Sequence, residues 1–293
     1  MPLYFLLLVH TGPFEAVAWR VIFSLGLCAV LVTVVRGWKR LIALIRQPRV
    51  MLLTAAAGVL IFVNWQMYLI GTLSGHVVET SLGYFMNPIV TVLLSVIVLR
   101  ERLRRLQWVA IALAVAAVAV IVAALGTVPW IAITLSLSFA VYGLVKNRLG
   151  GDVDAVSGLT LETMWLTPIA VVELLIVNAI AGLTLTPFGT GYALIMVGLG
   201  IATAVPLLLF AAGARRIPLS LVGMLQFIAP ILKFLIGVFI QHEEMPVERW
   251  IGFSIVWAAV AVFLLDMALA GAGARRAATS SHESGMNLPA STL

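Results

Sequence analysis

Side chains able to hydrogen-bond, pair charges or carry a proton stand inside otherwise apolar stretches of this chain, among them Arg20, Asn64, Tyr68, Glu79, Tyr84, Asn87, Glu162, Gln226 and Lys233. Their spacing is not that of a catalytic set. There is no Gly-rich nucleotide loop or His-Glu-x-x-His zinc motif, and the four histidines form no local cluster. The single cysteine, Cys28, excludes an intramolecular disulfide and a cysteine metal cluster. No cofactor or metal is therefore expected, and the reading is of a non-enzyme. Polar groups in apolar spans are costly and mark solute or ion pathways. Asn87 and Gln226 make the best pair, each just before a proline, Pro88 and Pro230. A proline lacks the N–H that the residue four back expects, so these two free the carbonyls of Tyr84 and Gln226 and kink their helices. The competing use of such groups is hydrogen bonding of helix to helix.

Around that pair, helical spacing groups further candidates. Glu79, Gly83 and Asn87 recur every four residues on one face with Tyr84 beside it, and Asn64 and Tyr68 form an i,i+4 pair with Trp65 adjoining. Arg20 lies roughly 10 Å below one edge of its span by helical rise. Glu79 is near the same edge of its own, so the two are candidates for an outer gate or for a purely structural ion pair. Glu162, with Trp165 nearly on its face, is a candidate pathway residue and, with Glu79, a candidate proton carrier. Lys233, seven residues beyond Gln226, lies on a similar face. It suits a carboxylate or an anionic solute, or it snorkels outward.

These residues need a membrane to give them meaning, and composition supplies it. Of 293 residues, 62% are hydrophobic and 10% charged, against about 25% charged in soluble domains. A soluble enzyme is excluded. Between polar breaks run nine candidate spans: Phe14–Val35, Val50–Ile70, Val77–Leu99, Leu106–Leu125, Pro129–Val145, Ser157–Ala181, Gly191–Ala212, Ile217–Ile240 and Trp250–Ala270. Each approaches the ~20 residues that a helix needs to cross a bilayer. Lysine and arginine set the orientation. Fifteen of the 18, including Arg36–Arg49, Arg100–Arg105, Lys146, Arg148, Arg215 and Arg216, fall in breaks on one face. That face is cytoplasmic by the positive-inside rule, as is the C-terminus. A pI near 10 thus reports topology and possible contact with anionic lipid, not nucleic-acid binding. The apolar stretch before His10 is too short to span; it is expected to be the outer remainder of a truncated first helix, completing ten.

Phe85, Pro88, Ile89, Leu93, Val96, Glu101 and Trp108 recur without a gap 142 residues later as Phe227, Pro230, Ile231, Leu235, Val238, Glu243 and Trp250. A unit of five spans reverses direction, so the second copy is inverted, the arrangement that suits alternating access. The expected organisation is a first repeat over 1–126 with its first helix truncated, an inverted second over 127–270 and a disordered cytoplasmic tail over 271–293. The fold class is all-α, a polytopic ten-helix fold of two inverted five-helix repeats.

The run Glu79-Thr-Ser-Leu-Gly-Tyr-Phe-Met-Asn-Pro88 followed by Glu101 resembles the RarD group of bacterial inner-membrane proteins. Asn64-Trp65, Tyr142-Gly-Leu-Val145, Leu161-Glu-Thr-Met-Trp165, Thr203-Ala-Val-Pro-Leu207 and Gln226-Phe-Ile-Ala-Pro230 match it as well. That group is placed in the drug/metabolite transporter superfamily, with two EamA-type repeats and ten helices. The resemblance implies a permease for a small organic solute or metabolite, working without ATP in the bacterial inner membrane. Proton coupling and facilitated exchange are both compatible with it. A non-transporting membrane scaffold or partner subunit is the alternative from another class. The residues do not distinguish a monomer from a homodimer.

Overall fold

The computed structural model describes Tyr4, 6–8, 10–74, 76–125, 127–226, Ile228, and within 250–269 the residues Trp250, Ile251, 254–255, 257–259, 261–262, 265–266 and Leu269. After a 3₁₀ turn at Leu6–Leu8 come α1 (Pro13–Val34), α2 (Trp38–Ile45), α3 (Pro48–Leu73), α4 (Val77–Leu99), α5 (Arg105–Leu125), α6 (Trp130–Leu149), α7 (Ala155–Ile180), α8 (Gly189–Ala214) and α9 (Leu219–Leu225). Among the described residues the fold is all-α, with six helices long and apolar enough to cross a membrane: α1, α3, α4, α6, α7 and α8. Local chemistry places the boundaries. Proline opens α1 and α3, where its missing N–H costs nothing. Arg36 and Arg100 adopt left-handed backbone just past the ends of α1 and α4, and Gly150 closes α6 at φ +57°.

Seven of the nine expected spans correspond to α1 and α3–α8. The eighth begins two residues late, at Leu219, and its described helix ends at Leu225. Pro230, Lys233 and the tail 271–293 lie outside the described residues, as does much of the ninth span. The basic stretch after α1, expected to be loop, contains α2. Its helical period gathers Leu41 and Leu44 on one face, away from Lys39 and Arg40. Both leucines are buried with Val32, Val50, Leu149, Val153 and Leu161. Charge counting marks that segment as topology; its amphipathic spacing makes it part of the core.

The helices gather into two compact units, one of Met1–Glu101 with Val128–Gln226 and one of Arg102–Thr127 with Phe227–Leu293. Neither coincides with a repeat expected from the sequence. In the first unit, α1 packs on α7 and α8, and α4 packs on α6 and α9, while α3 touches α6 and α7. Within the second, Arg104 pairs with Asp266 at 3.3 Å. Helix starts repeat with the spacing of the sequence motif: α1 and α7, and likewise α4 and α9, begin 142 residues apart.

At one end of the first unit lie the basic segments. There the Asp154 side chain caps α7 by accepting the Ser157 N–H at 2.8 Å and pairs with Arg40 at 3.3 Å. Burial pushes the Asp154 carboxyl up, but Ser157 and Arg40 outweigh it and hold it below its ordinary range. Its contribution to stability is therefore complete above that range and is lost as pH falls through the lowered value. Asp154→Ala is expected to cost about 1 kcal/mol at neutral pH. Its unfolding midpoint should converge on that of the wild type in acid.

Candidate solute site

At the end opposite the basic segments, three contacts join segments distant in sequence. Thr11 bonds Thr184 at 2.8 Å. Glu15, almost fully buried, accepts the Thr184 N–H at 2.7 Å and the Trp19 indole N–H at 3.2 Å. Glu79 accepts the N–H of Ile131, in the first turn of α6, at 3.2 Å. At the basic end Glu101 accepts the first two N–H groups of α9, from Leu219 at 2.9 Å and Ser220 at 3.0 Å. A carboxylate on exposed helix-start amides satisfies orphan donors and complements the helix dipole. Glu101→Ala removes two charge-assisted bonds and is expected to lower the thermal unfolding midpoint in detergent, equivalent to about 1–2 kcal/mol. Glu101→Gln, which keeps one acceptor oxygen, should lose less.

Between those ends lie most of the described polar residues singled out by sequence. Arg20 is buried, its Nε donating to Thr203 Oγ1 at 2.6 Å and its Cζ 4.2 Å from the Trp65 ring centroid. Its charge is within electrostatic reach of Tyr68 and Tyr84. Those two rings meet edge to face, 5.7 Å between centroids. One turn from Tyr84, Asn87 is buried and its Oδ1 has no hydrogen-bond partner; Thr91 Oγ1, one turn further, has none either. Pro88 lies between them inside α4, where it withdraws the bond that the Tyr84 carbonyl would receive. α9 crosses α4 here through Gly223. A Cβ on Gly223 would stand 2.8 Å from Val92 Cγ2 and 3.1 Å from the Pro88 carbonyl oxygen, so only glycine permits the approach. One turn beyond Gly223, both polar atoms of the Gln226 amide are buried without a partner. Buried amides normally find hydrogen bonds. At this crossing the Asn87 Oδ1 and the whole Gln226 amide are left open.

The candidate Arg20–Glu79 ion pair is not formed: Arg20 bonds the Thr203 hydroxyl and Glu79 the amide at the start of α6. Asn64 donates to the Leu135 carbonyl at 2.8 Å and to Ser138 at 3.1 Å, tying α3 to α6. Glu162 stands apart from the cluster, fully buried and ion-paired with Lys146, with the Tyr142 hydroxyl donating to its other oxygen at 3.3 Å. Lys146, read as a loop charge, is thus inside α6. Trp165 faces outward with Met164, Ile169 and Val172 on the exposed stripe of α7. Three polar groups went unweighed in the sequence: Glu15, Gln66 and Glu173. Gln66 donates to Glu173 at 2.5 Å. The mid-span positions of Gln66 and Glu173 were the available signal.

Comparison with known proteins places the chain in a family. The profile of the EamA-like transporter family matches residues 3–123. The protein RarD of Streptomyces exfoliatus is 42% identical over 266 residues, covering 91% of this chain and 84% of that one. This chain belongs to the RarD group of EamA-like transporters. RarD of Escherichia coli K12 is 38% identical over 90% of this chain and 89% of its own. A solved crystal structure with 21% identity superposes at a TM-score of 0.65, covering 90% of this chain and 91% of that one, a likeness of fold. The RarD-group chain is accordingly a multi-pass bacterial inner-membrane transporter and not an enzyme.

Proposed function

We propose that this RarD-group protein is a secondary transporter of a small organic solute that works by alternating access, with the solute bound where α9 crosses α4. The observation that carries this reading is the set of buried polar atoms without partners on Asn87, Thr91 and Gln226 beside the Pro88 kink. The scaffold of this proposal is ten helices in two inverted five-helix repeats, 1–126 and 127–270, with the basic loops and C-terminal tail in the cytoplasm. Supporting it are the helix starts that recur at the motif's own offset and the gathering of basic segments at one end of the first unit. Exchange of conformations between inverted halves turns an outward-open carrier into an inward-open one. Pro230 and Lys233, beyond the described residues, retain their places as a second kink and a pathway cation in this reading.

Saturable uptake by purified protein in liposomes is the expected result. Asn87→Ala and Gln226→Ala are each expected to cut that uptake about tenfold or more. Their thermal unfolding should shift little, because the Asn87 Oδ1 and both polar atoms of the Gln226 amide have no partner to lose. Stable capture of a partner protein, with no saturable flux across a broad metabolite panel, would instead support the scaffold reading.

A proton-coupled form of this transport is favoured by Glu173. Gln66 holds one of its oxygens while the other, Oε2, is buried without a partner. The carboxyls first singled out for that role, Glu79 and Glu162, hold an amide and Lys146. Glu173→Gln is expected to abolish the dependence of uptake on a pH gradient while counterflow exchange continues. Gradient-driven accumulation that persists in Glu173→Gln removes this carboxyl from the mechanism.

A further inference from the structure

Among the described residues Arg20 is a cation without a counter-charge. It stands about 10 Å along α1 from Pro13, 7% exposed. Among the described residues no carboxylate stands within ion-pair distance of it. Glu15 holds the Thr184 amide, Glu79 the Ile131 amide and Glu162 the Lys146 ammonium. Thr203 takes the Nε–H and Trp65 takes one face of the guanidinium. The two terminal amino groups of the fork make no hydrogen bond among the described residues. A guanidinium in this setting is costly to keep uncompensated. Its planar fork matches a carboxylate with two parallel N–H···O bonds. Trp65 lies against it, and its charge reaches Tyr68 and Tyr84, whose rings meet edge to face.

We propose that Arg20 is the anion-binding residue of the transport site and that the transported solutes are small organic carboxylates, their acid group on the Arg20 fork and their apolar or aromatic body against Trp65, Tyr68 and Tyr84. The proposal rests on the carrier reading above and specifies its substrate class. Thr203 and Trp65 fix the guanidinium before solute arrives, so little side-chain entropy remains to be lost on binding. The fork then acts as an orienting clamp and as the neutraliser of the solute's charge during passage.

The test compares acids with their amides, which share shape and differ in charge. Benzoate, phenylacetate and indole-3-acetate, each beside its primary amide, are added to the full chain in nanodiscs, and unfolding midpoints are read. The acids are expected to raise the midpoint in a concentration-dependent way and the amides to leave it in place. Arg20→Gln is expected to weaken the acids' effect about tenfold or more, and Arg20→Lys, which keeps charge without the fork, to retain part of it. Equal shifts by acids and amides, or no shift by any acid, overturn the proposal from the wild-type protein alone, whether or not Arg20→Gln folds. Preference for inorganic phosphate over the carboxylates overturns the substrate class. Saturable flux of a neutral solute that persists in Arg20→Gln overturns this inference and leaves the carrier reading standing. Absence of flux for every solute overturns both.

Discussion

Lys146→Met is expected to destabilise the protein by about 3–5 kcal/mol, the range for breaking a buried ion pair from one side. The Lys146 and Glu162 side chains are 3% and 0% exposed, so neither charge has water to fall back on. The remaining support of the carboxylate is the Tyr142 hydroxyl at 3.3 Å, a weak substitute for an ammonium. Removing the lysine leaves a carboxylate in a dry site. Removing both charges does not, and a well-packed apolar pair often matches a buried ion pair in stability. The double variant Lys146→Met/Glu162→Leu is therefore expected to recover most of the loss. Thermal unfolding in detergent micelles reads both. A single variant as stable as the wild type would show that Glu162 finds another partner or water.

Gly200→Ala is expected to cost about 1–3 kcal/mol or more, through overpacking. A Cβ at this position would lie 2.6 Å from the carbonyl carbon of Phe23 and 2.7 Å from its oxygen. Those are backbone atoms of α1, which cannot yield without moving the whole helix away from α8. Ser24 bonds the Gly200 carbonyl at 3.4 Å and Arg20 bonds Thr203 across the same contact, so separation also loosens the Arg20 site. Transport is expected to fall with stability in this variant. Gly26→Ala is the control: a Cβ there meets nothing within 4 Å. In mid-helix, alanine is favoured over glycine by up to about 1 kcal/mol. The unfolding midpoint should drop for Gly200→Ala and rise slightly for Gly26→Ala, and equal behaviour of the two would refute close packing of α1 on α8.

The two glycines show where sequence reading stops. Both lie in apolar runs and look alike in one dimension, yet one is a helix contact and the other faces open space. The same limit explains Lys146 and Trp165. A lysine at the end of a span reads as an orientation signal, because nothing local reveals that Glu162 on the next helix waits for it. Trp165 reads as a neighbour of Glu162 by helical angle, whereas lateral packing turns it onto the exposed stripe of α7. Arg20 and Glu79 lie within helices, as their spans predict, but hold Thr203 and Ile131 instead of each other. Helical rise gives depth along a helix, and it carries no information about which neighbour stands across the gap.

What the amino-acid sequence determined by itself is the membrane class, most of the long apolar helices and the family. Hydrophobic length, proline and glycine placement and a long specific motif are properties of contiguous residues, and the bilayer imposes one dominant spanning structure on such stretches. What only the tertiary structure decided is partnership. It assigned Glu101 to the start of α9 and Glu162 to Lys146, left Asn87 and Gln226 with unpaired atoms beside a kink, and gave Arg20 a hydroxyl and an indole in place of a carboxylate. Hydrogen bonds and ion pairs form between atoms only a few ångströms apart. Residues that meet across helices are often more than a hundred positions apart in the chain, so which of them meet is a property of packing.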